Sequence, residues 1–205
     1  MEQNKEMTPQ ESLSLISETL NNNRKDIMRR SGRYYILWGC LLAVLSVVIY
    51  ALWKGTEKEV WNMLWFAMPL IGYPAARWMR KKEPSAETQN EITRITHGVW
   101  TAFGIMACSV AAFTLVFCEL SESVFKTLAA FAGLTAEIVL LFGFAECVTG
   151  VALKNWIIKI AGIVTGIGGL AIYYITGPNE EQLFIFTFTG LVLAATGLIV
   201  KSQYK

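Results

Sequence analysis

Polar and apolar positions separate along this chain on a long scale. Residues 1–33 are mostly polar. From Tyr34 onward, apolar runs of roughly twenty residues alternate with short charged stretches. A helix needs about 20 apolar residues to cross the hydrocarbon core of a bilayer. Six runs meet that length: 34–53, 60–79, 97–118, 127–149, 155–176 and 183–200. A membrane β-barrel would show shorter segments of alternating polarity instead. The pattern therefore predicts an all-α polytopic membrane protein. Its six transmembrane helices form antiparallel hairpins, because most of the connections are only a few residues long. A leader (1–33) precedes the spans, and a short tail (201–205) follows them.

The leader carries its own helical signals. Thr8-Pro9-Gln10-Glu11 reads as a capping box, with Thr8 as N-cap, Pro9 at the first helical position and Glu11 reaching back. Leu13, Ile16, Leu20 and Ile27 then recur at the spacing of an amphipathic helix. A basic cluster of Arg24, Lys25, Arg29, Arg30 and Arg33 completes the leader. The stripe and cluster predict a surface that contacts lipid, a cytoplasmic protein partner or a second copy of the chain.

Composition supports the membrane reading. Of the 205 residues, 54% are hydrophobic and 17% charged, against roughly 25% charged in a soluble domain. Cations are distributed by side. In the six-span topology, Lys54, Lys58 and Lys126 fall on one side, and the other 15 of the 18 Lys and Arg residues fall on the opposite side. That asymmetry predicts a cytoplasmic N-terminus and C-terminus. Trp53 and Trp61 mark the outer interface, and Trp78, Trp100 and Trp156 the inner one. No secretory signal peptide is visible, so the first span is expected to persist in the mature protein.

Candidate chemistry is sparse. Cys40, Cys108, Cys118 and Cys147 have no metal-binding spacing. His97 is the single histidine, and the one aspartate, Asp26, lies in the leader. No catalytic constellation accompanies them, so no enzymatic activity, metal or cofactor is expected. The basic residues follow the topology signal, so no nucleic-acid partner is expected either.

Two acids interrupt the fourth apolar run, GLTAEIVLLFGFAECVTG at 133–150. Glu137 falls near the middle of the predicted span, level with Tyr73, Ser109 and Thr165. An ionised carboxylate is costly at that depth, so Glu137 is the candidate intramembrane proton or cation site. Glu146 falls nearer the inner interface, where Arg77, His97 and Lys159 are expected to pair with it. Gly162, Gly166 and Gly169 form a small-residue face for helix packing, within one chain or between copies in a homo-oligomer. Pro69 and Pro74 interrupt the hydrogen-bond ladder of the second run.

The stretches YYILWGCLLAVLSVVIY (34–50), WNMLWFAMPLIGYP (61–74) and LLFGFAECVTGVALKNWIIKIAGI (140–163) resemble a group of small, uncharacterised bacterial membrane proteins with a polar leader and about six spans. The resemblance implies a bacterial cytoplasmic membrane and adds architecture, with no catalytic residues. The function expected from all this is a non-enzymatic membrane scaffold or regulatory protein with a cytoplasmic docking helix. The alternative is a small proton- or cation-linked transporter or channel using Glu137.

Overall fold

In a computed structural model, described for residues 8–81, 91–120, 133–177 and 180–204, the chain is all-helical. The first helix, α1, runs unbroken from Pro9–Thr56. At 1.5 Å per residue it is about 72 Å long. No break separates the predicted leader from the first apolar run. Its capping box is formed: Thr8 Oγ1 accepts from the Glu11 amide at 3.3 Å, and Glu11 Oε2 accepts from the Thr8 amide at 2.9 Å.

The second apolar run is not one α-helix. A 3-10 segment, Glu59–Phe66, precedes helix α2 at Ala67–Lys81. Pro69 explains the change of winding. It has no amide to offer the carbonyl four residues back, and its ring crowds that carbonyl. The remaining helices are α3 at Glu91–Leu120, α4 at Leu134–Ala152, α5 at Trp156–Thr176 and α6 at Leu183–Gln203. Asn155 caps α5 by accepting from the amides of Ile157 and Ile158 at 2.9 and 3.1 Å. The first part of the predicted fourth span, 127–132, lies outside the described residues.

Two helix pairs dominate the packing. In the first, Gly32 of α1 lies against Gly197 of α6, and Gly39 lies against Gly190, so numbers rise along one helix as they fall along the other. In the second, Gly143 of α4 lies against Gly162 and Gly166 of α5, and Gly150 lies against Lys159. A Cβ on any of Gly39, Gly143, Gly162 or Gly190 would fall about 2.5–2.6 Å from backbone atoms of the facing helix. Glycine lets the backbones close to this distance. The pairs join where Val139 and Ile185 meet at Gly169. Helix α3 packs on α4 through Trp100, Phe103 and Phe142. Helix α2 packs on α1 through Tyr73 and Trp38.

Four helical stretches among the described residues are long and apolar enough to cross a membrane: Lys25–Thr56, Leu134–Ala152, Trp156–Thr176 and Glu180–Gln203. Side-chain placement follows the polarity of such a setting. Val44, Val47, Phe144, Ile163, Ile167, Leu191 and Leu198 face outward, while Ser46, Thr149, Thr165, Thr189 and Thr196 are buried. A surface this apolar marks contact with lipid or another protein.

Candidate functional site

The buried hydroxyls lead to one carboxylate. Glu146, three turns into α4, is 0% exposed. Its inward direction follows from its own helix: Val139, Phe142, Gly143, Ala145, Glu146, Thr149 and Gly150 form the buried face. Gly143 and Gly150, on the same face as Glu146, bring α5 close over it.

The Glu146 surroundings are assembled from three helices. Thr165 of α5 presents its hydroxyl toward the carboxylate. Tyr35 of α1, 7% exposed, brings its hydroxyl beside Thr149 and within electrostatic reach of Glu146. Both Glu146 oxygens, the Tyr35 hydroxyl and the Thr165 hydroxyl are buried without a hydrogen bond of good geometry. Thr165 is thus a neighbour of the carboxylate rather than a fully formed partner. Thr149 uses its own proton internally, donating to the Ala145 carbonyl at 2.8 Å.

The sequence expectations for this region are corrected in two respects. First, Glu146 does not pair with Arg77, His97 or Lys159. All three are exposed, and the ion pairs shown among the described residues are those of Asp26 with Arg29 and Arg30. The reason is rotational: Glu146 turns into the bundle, whereas the three basic side chains turn out of it. Lys159 does approach α4, but its backbone carbonyl accepts from Cys147 Sγ at 3.3 Å. His97 engages its own helix, with Thr101 Oγ1 3.3 Å from Nδ1.

Second, Glu137 is not at mid-span. It sits partly buried in the first turn of α4, two residues from buried Thr135, whose hydroxyl donates to Gln182 Oε1 at 2.7 Å. The helix begins only at Leu134, with Gly133 as its cap at φ 54°. A carboxylate there is stabilised by the positive end of the helix dipole. The residues predicted to surround Glu137 are dispersed. Tyr73 is 69% exposed, Ser109 donates to the Ile105 carbonyl at 2.8 Å, and Thr165 faces Glu146. Tyr73 and Ser109 instead share a cavity of ≈ 630 Å³ between α2 and α3, bordered by Pro69 and Trp100.

Gly162, Gly166 and Gly169 all pack within the chain, on α4 and α6. In the leader, Leu13 and Ile16 are 66% and 55% exposed. Lys25 and Arg29 are exposed and Arg30 partly buried. The Leu20 and Arg24 side chains lie outside what is described. Trp100, expected at the inner interface, is partly buried against Tyr35 and Phe142. Sequence reasoning missed Tyr35 and Thr149. It also missed the facing pairs of glycines between α1 and α6, although 32 and 39, and 190 and 197, share a seven-residue spacing.

The chain matches no protein-family model, and no curated protein and no solved structure matches it. The class that fold and site define is an all-helical protein with several helices apolar and long enough for a membrane.

Proposed function

We propose that the protein is a six-span integral membrane protein of the bacterial inner membrane, with both termini cytoplasmic. In this reading it is a non-enzymatic scaffold or regulator that presents its N-terminal helix to a cytoplasmic protein. Two further segments support six spans by length. The 3-10 segment with α2 extends about 38 Å and α3 about 45 Å, against a hydrocarbon core of about 30 Å. The cation asymmetry supports the orientation.

The observation that carries the docking role is the continuity of α1. An amphipathic leader that bound lipid would lie along the membrane surface. Here it extends the axis of a membrane-crossing helix. Leu13 and Ile16 precede Tyr34 by 21 and 18 residues, which puts them about 27–32 Å beyond the start of the apolar run. Headgroups add only about 5–7 Å on each side. Exposed Leu13, Leu15 and Ile16 therefore stand clear of the lipid, where a protein groove suits them.

A photo-crosslinking amino acid placed in cells at exposed Leu15, which the stripe substitutions leave intact, tests this reading. The expected result is a defined adduct with a cytoplasmic protein, lost when Leu13, Ile16 and Leu20 are all replaced by Ser while the bundle still inserts. Adducts with lipid alone, or an unchanged adduct in the triple variant, would reject it. An adduct between two copies of the chain would reassign the stripe to self-association.

A further inference from the structure

We propose that Glu146, with Tyr35, Thr149 and Thr165 around it, forms a buried proton-binding site. It goes beyond the docking role and does not depend on it.

Glu146 has no solvent exposure, and both of its oxygens lack a hydrogen-bond partner. No Lys, Arg or His lies within ion-pair distance among the described residues. An unpaired carboxylate anion is strongly disfavoured in such surroundings. A proton on one oxygen removes the charge and turns the group into a donor. That donor needs one acceptor, and two hydroxyls lie near: Thr165 from α5 and, within electrostatic reach, Tyr35 from α1. Thr149, having given its proton to Ala145, is left as the acceptor for Tyr35.

The titratable groups nearby are few. Helix α1 contributes Tyr35, α4 itself contributes Cys147, and α5 contributes Lys159, whose backbone carbonyl accepts from Cys147 Sγ. Helix α3 meets α4 with the rings of Trp100 and Phe103. Among the described residues Glu146 is the one buried acid.

A purely structural strut would have its oxygens satisfied. Here four polar atoms meet without a good partner. Exchange with water also has a short path. A cavity of ≈ 230 Å³ lies at the α4–α5 turn, lined by Gly150, Lys154, Asn155 and Lys159. Gly150 is one helical turn from Glu146, about 6 Å along the axis. Water entering that cavity would supply the proton and take it back, leaving the carboxylate.

Infrared spectroscopy of the full-length protein in lipid nanodiscs reads the site directly. The expected result is a carboxylic-acid C=O band at mildly acidic pH that is absent from Glu146→Gln, retained in Glu137→Gln, and lost as pH becomes alkaline. Thr165→Val, which removes a hydrogen-bond partner and keeps the acid, should shift the band and the pH of its loss. If Glu146→Gln fails to fold, Glu146→Asp supplies the assignment through a displaced band. An unaltered band in the Glu146 variants would overturn the proposal. So would a Glu146 carboxylate band already present at acidic pH, or an acid band that persists at every pH.

Discussion

Gly39 and Gly190 lie back to back across α1 and α6. A Cβ on Gly39 would fall 2.6 Å from the Gly190 carbonyl oxygen, and a Cβ on Gly190 would fall 2.6 Å from the Gly39 carbonyl oxygen. The first and last helices of the structure are therefore held by direct backbone proximity. The atoms in the way are main chain, which cannot rotate aside.

Gly39→Ala and Gly190→Ala are each expected to destabilise the bundle by about 1–3 kcal/mol, the range for overpacking a tight contact. Gly104→Ala serves as the control, because nothing lies within 4 Å of its would-be Cβ. It should be neutral or stabilising by up to about 1 kcal/mol, from the better helix propensity of alanine. Unfolding in mixed micelles compares the three.

The two acids of α4 are expected to behave oppositely to their order along the predicted span. Glu137→Gln removes a charge from the first turn of α4, a loss of about 0.3–1 kcal/mol. Glu146→Gln alters a site with no solvent contact and should change the pH dependence of stability. Unfolding of both variants over a pH series separates them. Equal pH profiles for the wild type and Glu146→Gln would contradict the placement.

The hydrogen bond between Ser46 and Thr187, 2.8 Å across α1 and α6, is expected to contribute about 0.6 kcal/mol, as interhelical bonds within membranes do. A double-mutant cycle with Ser46→Ala and Thr187→Val measures it. A coupling near zero would leave the glycine contacts as the main tie between the two helices.

The N-terminal cap should depend on pH. Hydrogen bonds from the Thr8 backbone, then from its side chain, hold the Glu11 carboxyl below the usual carboxylate range. A depressed folded value means that the contribution is complete above about pH 4.3, the unfolded value. It is lost as pH falls through the lower folded value. Amide protection of Glu11 and Ser12, corrected for intrinsic exchange, should fall on acidification. In Thr8→Ala it should be low at every pH.

Topology is tested by thiol labelling in a background lacking Cys40, Cys108, Cys118 and Cys147. Cysteines at Glu57 and Glu180 should react with a membrane-impermeant reagent from outside. One at Ser202 should react only after permeabilisation. The reverse pattern would overturn the proposed orientation.

Helix formation was legible in the sequence because it is local. Runs of apolar residues the length of a bilayer predict helices, and Thr8, Pro9 and Glu11 predict the start of the first one. These signals need no knowledge of neighbours. The small face of Gly162 and Gly166 was legible too, since such spacing implies close packing whatever the partner. What the tertiary structure alone decided is rotation and pairing. Depth along a helix suggested that Glu137 was isolated and Glu146 paired. The start of α4 at Leu134 puts Glu137 in its first turn, and direction about the axis turns Glu146 inward, where α5 and α1 close over it. That α1 pairs with α6 was likewise hidden, since Gly32 and Gly39 are 165 and 151 residues from their partners in sequence. A hydrophobic pattern shows that a face will be covered. It does not specify which helix covers it, and that choice placed Tyr35 beside Thr149 and Thr165 beside Glu146.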